Sequence, residues 1–203
     1  MIGNSTTNKK MIGNITIDKS ILVLVEGRDD DHFLDALARD LGIRDTLQIL
    51  RYNGKAELRD FLFAIKAVQG FEIVRSIGVT GDSDEHPERR VQSINNSIIA
   101  AGFHVPDSIL TTSFTLFPDP DTPGTVETLL LRAIEDHERM KCVEDFLNCS
   151  FPNAQSYSDK SKLWSFLSAG KKPGFSLKTA FNSGEISRNH SAFSQIREFL
   201  EAL

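Results

Sequence analysis

Residues 20–27 read "SILVLVEG", five β-branched or leucine residues in succession, stopped by an acid and a glycine. A strand with one wet face alternates apolar and polar side chains, whereas a strand covered on both faces has no such need. This run therefore predicts a central strand sandwiched between two layers. "RDDDHFLDALARDLG" follows, with Phe33, Leu34, Leu37, Ala38 and Leu41 at helical spacing. Asp29 is placed as an N-cap and Gly42 as the stop after the last turn.

The same alternation continues downstream. Strands are expected at 46–52, 72–80 and 113–117. Helices are expected over Leu58–Val68, from Pro87 to about Gly102, and around Val126–Ala133, with Pro87 suited to a first helical position. Alternation of this kind indicates βαβ units and a parallel sheet. Beyond about residue 136 the strand signal fades into helical segments around Phe146, around Leu163, Trp164 and Leu167, and at Phe193–Leu200, with "SAGKKPGFS" (168–176) as a loop. The expectation is an α/β fold with a mainly parallel, Rossmann-like four-stranded sheet flanked by helices and a helical C-terminal extension. Its divisions are a flexible polar extension (1–17), an α/β domain (18–135) and a helical subdomain (136–203).

Hydrophobic residues at 40% and charged residues at 25% describe a globular chain and not a disordered one. "ILVLV" is far short of the roughly 20 apolar residues that cross a bilayer, and no signal-like segment stands at the N-terminus. Cys142 and Cys149 have neither metal-ligand nor redox spacing. A cytoplasmic protein without a membrane partner is expected. A net charge of −5 argues against binding nucleic acid by bulk electrostatics. The charge is uneven, however: residues 151–203 hold 7 Lys/Arg against 4 Asp/Glu, and the first 150 hold 16 against 24.

Two motifs carry the chemistry. Glu26 and Gly27 end the first strand, and "GVTGDSDEH" puts Asp82 and Asp84 at the end of the third, about 55 residues later. Ligands of open parallel sheets bind outside the carboxyl ends of the strands. If the two strands are neighbours, three carboxylates converge on one rim, which is costly unless a cation neutralises them. Mg²⁺ suits such hard oxygen ligands and bridges carboxylates to phosphates. Gly81 is placed there for its backbone freedom. Each motif alone is also compatible with a solvated turn or cap. Arg28 and Lys55 follow strand ends on the same rim, either to meet phosphate or as solvated helix starts. Asp29, Asp30 and Asp31 suit a first helical turn. Glu85 could join the metal site or be an exposed turn residue, and Asp119 and Asp121 at the fourth strand end could extend the acidic rim or belong to a Pro-rich turn. His32 and His86 lie nearby without a second His at ligand spacing, and Tyr52 and Tyr157 read as packing residues.

The combination of "VLVEGRDDDHF" and "GVTGDSDEH" resembles the Toprim domain, the metal-binding catalytic module of bacterial primases, type IA and II topoisomerases, recombination mediators and OLD-family nucleases. The resemblance covers about residues 18–135 and is strongest to small free-standing Toprim proteins related to the OLD nucleases. Their later "G..E.LL" stretch is matched by "PGTVETLLL", with Gly124 and Glu127. It implies Glu26 as general acid/base or metal ligand and Asp82 and Asp84 as ligands of Mg²⁺ or Mn²⁺. Glu127 would help hold a second ion, and a late lysine, Lys160 or Lys162, would assist catalysis. Neither a topoisomerase-like tyrosine, a zinc-binding segment nor a Walker A pattern accompanies the motifs.

The expected function is thus metal-dependent hydrolysis of DNA or RNA phosphodiesters by a nuclease of OLD-like type, with one or two ions. The alternative is a non-catalytic Toprim module in DNA repair or recombination, with a protein partner or a second copy of itself. A third reading, an aspartyl-phosphate enzyme using Asp82, is weakened because "GDSDEH" lacks the Thr or Val that follows the second Asp in haloacid-dehalogenase-like sites.

Overall fold

The computed structural model describes residues 15–103, 110–152, 156–170 and 176–203. Most of the expected N-terminal extension and residues 171–175 of the "SAGKKPGFS" loop lie outside them.

Four strands, β1 (Ile21–Val25), β2 (Leu47–Arg51), β3 (Ser76–Asp82) and β4 (Thr111–Phe117), form one sheet in the order β2-β1-β3-β4. Every pairing is parallel: Ile21 stands beside Leu47 on one side and Ser76 on the other, and Ser76 beside Thr111. Three crossover helices connect them: α1 (Arg28–Asp40), α2 (Leu58–Ile65) and α3 (Pro87–Ala100). The chain continues through α4 (Val126–Arg132), α5 (Arg139–Ser150), α6 (Asp159–Ser168), α7 (Leu177–Ser183) and α8 (Ser194–Glu201). The α/β class, the parallel four-stranded sheet and the helical C-terminal region are as the sequence predicts. No helix among the described residues is long and apolar enough to cross a membrane.

Period-two geometry explains the unbroken apolar run of β1. Leu22 and Leu24 point to a core shared with Ile77, Val79, Leu116 and the buried faces of α2 and α3, including Phe61, Leu62, Ile94 and Ile98. Val23 and Val25 point the other way, to a core built by α1, α4 and the C-terminal helices. At the centre of that second core is Phe33, fully buried. Its ring centroid lies 5.8 Å from Phe117, 6.0 Å from Phe181 and 5.0 Å from Phe193. Residues from β4, α7 and the 3-10 turn Ser191–Phe193 thus meet on one side chain of α1.

The fourth strand begins two residues earlier than expected and α2 ends at Ile65 and not at Val68, and two further boundaries differ for a visible reason. The third strand begins at Ser76 and not at 72, because Phe71–Ile73 form a 3-10 turn and the chain re-enters the sheet where the Arg75 and Ser76 N–H groups meet the Ser20 carbonyl. The first helix is capped at Gly27 and not at Asp29. Asp30 reaches back so that the Gly27 N–H donates to its Oδ2 at 2.9 Å, which draws the helix start two residues earlier. Gly42 does stop the helix as expected, in the left-handed region at φ 72°.

Candidate functional site

Because β1 and β3 are neighbours, their carboxyl ends bring Glu26 and Asp82 onto one rim. Asp82 is the last residue of β3, and its Oδ1 accepts the Val126 N–H at the start of α4 at 2.9 Å. Ser83, fully buried, ties this rim down: its hydroxyl donates to the carbonyls of Phe117 (2.6 Å) and Thr122 (2.7 Å). Asp84 then forms an isolated antiparallel bridge with Gly124, and it does so in the left-handed region at φ 56°. Aspartate tolerates that conformation better than most residues. The loop before α4 is thereby strapped to the end of β3, and Glu127 is delivered beside Asp82.

Four acids feel one another here. Asp82 is pushed from 3.8 up to about 8, by desolvation first and then by Asp30, with Glu26 and Glu127 adding to the repulsion and the Val126 N–H opposing it. Asp30, almost wholly buried, is pushed up to about 6. Desolvation again leads, the Gly27 N–H opposes it, and Glu26 and Glu127 contribute. Carboxyls driven upward by burial and mutual repulsion in a cleft mark a candidate functional site.

Glu26 is held from three sides. Arg90 Nη2 donates to its Oε2 at 2.8 Å, the Lys55 N–H donates to its Oε1 at 3.1 Å, and the Tyr52 hydroxyl stands 3.5 Å away. Tyr52 and Arg90 are both buried. The tyrosine donates to the Thr80 carbonyl at 2.8 Å and accepts from Arg90 at 3.1 Å. Tyr52 is therefore a member of the site and not an ordinary packing residue, and its phenol is pushed upward, chiefly by burial. Gly81 also has a different role from the one expected. A Cβ there would stand 2.7 Å from Arg90 Nη2 and 3.0 Å from the Tyr52 oxygen, so the glycine leaves room for the guanidinium.

Lysines supply the remaining charge. Lys55 Nζ lies 2.9 Å from Asp84 Oδ2, and Lys160 Nζ lies 3.6 Å from Glu127 Oε1. Thr125 steadies Glu127 through a 2.8 Å hydrogen bond. An open cleft of about 600 Å³ is lined by Asp82, Asp84, Glu127 and Lys160, among others. Of the lysines expected here, Lys160 reaches the acids. Lys162, two residues on and so on the opposite side of the helix from Lys160, forms no ion pair with them among the described residues. Arg28 is exposed at the start of α1 and forms no ion pair among the described residues. Asp119 leaves the rim: it caps its own loop by accepting the Asp121 and Thr122 N–H groups and pairs with Arg132 at 3.2 Å, which holds its carboxyl below the usual range.

Arg90, Asp30, Tyr52 and Ser83 complete the site without having been singled out for it. One signal was present for Arg90: it falls on the apolar face of α3, between Pro87 and Ile94, where an unpaired charge is not expected.

A family model described as a protein of unknown function, DUF3226, matches residues 20–203. The chain belongs to that family. The matched span takes in the sheet, the acidic rim and the C-terminal helices alike. No curated protein matches the chain. Two solved structures are similar, both of the C-terminal region of the OLD protein of Xanthomonas campestris pv. campestris. The one phased with iodine aligns at TM-score 0.49 and 13% identity, covering 91% of this chain and 95% of that one. The one phased with platinum aligns at 0.47 and 14%, with the same coverage.

Among the described residues, no group of three or more acids, histidines or cysteines is already arranged to hold a metal ion. The reason is visible in the pairings: Glu26 is turned to Arg90, Asp84 to Lys55 and Glu127 to Thr125 and Lys160.

Proposed function

We propose that this DUF3226 protein is a Toprim-type enzyme that hydrolyses nucleic-acid phosphodiester bonds with Mg²⁺ or Mn²⁺. The observation that carries the proposal is the convergence of Asp82, Asp30, Glu26 and Glu127 on one rim, where burial first and the neighbouring acids second push Asp82 up to about 8. Such a group is relieved by a cation, and a set of hard carboxylate oxygens fits Mg²⁺ and Mn²⁺. Asp82, Asp84 and Glu127 are the residues that would hold the ion, and Asp84 would then give up its pairing with the Lys55 ammonium. A bound ion would supply neutralisation of charge developing on the phosphoryl oxygens.

The chain's own groups divide the remaining work. Glu26, oriented by Arg90, Tyr52 and the Lys55 N–H, is placed to take or return a proton at the edge of the cleft. Lys160, with its Nζ facing Glu127, is placed to meet a phosphate oxygen. Lys55, released from Asp84, serves a second phosphate oxygen. Ser83 and the Asp84–Gly124 bridge keep the rim rigid, which electrostatic catalysis requires.

The test combines calorimetric titration of Mg²⁺ and Mn²⁺ into wild type and Asp82→Asn/Asp84→Asn with cleavage assays on DNA and RNA. Binding and cleavage that both disappear in the variant are expected. A wild type that takes up no ion, even with an oligonucleotide present, would overturn the proposal.

A second reading, a non-catalytic binding module, is favoured by one observation. Glu26, Asp84 and Glu127 are already paired with Arg90, Lys55 and Lys160 without any ion. It predicts a partner retained by the Asp82→Asn/Asp84→Asn variant and no cleavage by either form.

A further inference from the structure

Beside the acidic cleft lies a second, of about 570 Å³, whose walls include Lys55, Arg89 and Arg90. The two share Asp84 and Glu85. A third, of about 430 Å³, adjoins the second through Arg89 and Ser93 and runs on between α2 and α3 past Arg59 and Asn96. The three are therefore stretches of one groove. It starts at the carboxylates and leaves along α3.

Its chemistry changes along its length. The third stretch is lined by Arg59, Arg89, Gln92, Ser93, Asn96, Ser97 and Ala100, with no acid. On α3 these positions recur at helical spacing, so one face carries a cation, then neutral hydrogen-bond donors, and no large apolar side chain. Arg89 is exposed and has no carboxylate partner among the described residues. Arg59 has only the adjacent Asp60, at 3.4 Å and with both side chains half exposed or more, a pairing that contributes little. Beneath them Arg90 is buried, with its Nε lacking any hydrogen-bond partner. From Arg89 to Ala100 the helix runs roughly 16 Å at 1.5 Å per residue. That spans about four or five phosphates at the 3.4 Å axial spacing of a duplex strand. His86 is the only ring among the described residues lining the second and third stretches, so these residues offer bases no aromatic platform to stack on.

We propose that this groove holds the sugar-phosphate backbone of a nucleic-acid strand by its phosphates, with Arg59 and Arg89 as the main contacts, and leads that strand to the acidic cleft. The inference rests on the reading of the acidic cleft as a nuclease site. It adds that the ligand is a polymer and not a mononucleotide, and that recognition is blind to sequence.

The experiment is fluorescence anisotropy of labelled DNA and RNA oligonucleotides on the full chain, in EDTA, across a salt series. Wild type is compared with Arg59→Gln/Arg89→Gln and with Arg39→Gln, an exposed arginine on α1, as control. Cleavage in Mg²⁺ is assayed in parallel. Expected results are that the double variant binds at least about 10-fold more weakly and that its log K against log salt slope shrinks by about 1–2. The control should match wild type, and homopolymers of different base should bind alike. Polyglutamate of matching charge should compete poorly: a guanidinium forks onto carboxylate as well as onto phosphate, but the carboxylates of polyglutamate hang on flexible side chains and keep no fixed spacing. An unchanged slope in the double variant, equal competition by polyglutamate, or no oligonucleotide binding by wild type would each overturn the groove. The two proposals separate cleanly. Cleavage with an unchanged slope sinks the groove alone, and Arg-dependent binding without cleavage sinks the nuclease alone.

Discussion

Replacing Asp82 with asparagine removes the charge that burial most penalises, while leaving an oxygen to accept the Val126 N–H. In the folded chain this carboxyl is raised from 3.8 to about 8. The folded state therefore keeps the proton to a higher pH than the unfolded state does. The stability contributed by the protonated group is complete below about pH 4 and is lost as pH rises through about 8. At about 1.4 kcal/mol per unit, a displacement of four units sets a ceiling of roughly 6 kcal/mol. Water in the open cleft and relaxation of the neighbouring acids reduce this to about 2–3 kcal/mol. Asp82→Asn is thus expected to be the more stable protein in EDTA near pH 8.5, with its advantage over wild type shrinking by about 2 kcal/mol near pH 5. Urea unfolding followed by circular dichroism at the two pH values measures the difference. Asp30→Asn provides a reference, since that carboxyl is raised only to about 6 and its advantage should be complete by about pH 7. An Asp82→Asn advantage that is the same at both pH values, or a wild type that gains on the variant as pH rises, would show that the buried Asp82 charge does not destabilise the fold.

Three further outcomes follow from the packing. Arg90→Met should cost about 3 kcal/mol, because it leaves Glu26 without its buried counter-ion, and the double variant with Glu26→Gln should cost at least 1 kcal/mol less than the sum of the singles in a urea-denaturation cycle. Gly81→Ala should cost about 1–3 kcal/mol by crowding Arg90 and Tyr52, and should lower cleavage more than Gly42→Ala, where the added Cβ meets nothing. Phe33→Ala should cost about 3–5 kcal/mol. Unfolding followed through Trp164, the chain's only tryptophan, should show it as one shifted transition, because Phe33 is packed between the sheet and the C-terminal helices.

The elements whose burial is written in their periodicity were legible from the residues. β1 is apolar throughout, β3 is buried up to its last residue, and both sit in the middle of the sheet, while the spacing of Leu58, Phe61, Leu62 and Ile65 describes the buried face of α2. The placing of Glu26 and Asp82 at neighbouring strand ends follows from topology alone. What was not legible depends on tertiary contact. Asp30 looks like one of three first-turn acids, and only the folded chain shows it buried. Tyr52 ends an ordinary strand, and its role comes from Arg90 crossing 38 residues of sequence to meet it. Gly81 was expected to supply backbone freedom and supplies space instead. That distinction requires knowing which side chain lies opposite.

The C-terminal helices take part in the site as well as in the core. Thr128 on α4 donates to Asp159 Oδ2 at 2.6 Å, and the next residue, Lys160, faces Glu127 from the first turn of α6. The Ser158 hydroxyl caps that helix by accepting the Ser161 N–H, so the turn bearing Lys160 has a fixed start. Lys160 is thus positioned by two separate devices, a cap within its own helix and a hydrogen bond to α4. The acids come from β1, β3, α1 and α4, while the lysine comes from a helix that packs on the far core. An arrangement of this kind couples the docking of the C-terminal region to the charge balance of the cleft. Loosening α6 would withdraw the cation paired with Glu127 and deepen the repulsion that adds to burial in raising Asp82. The helical region is thereby tied electrostatically to the rim, in addition to the apolar contacts it makes through Phe33.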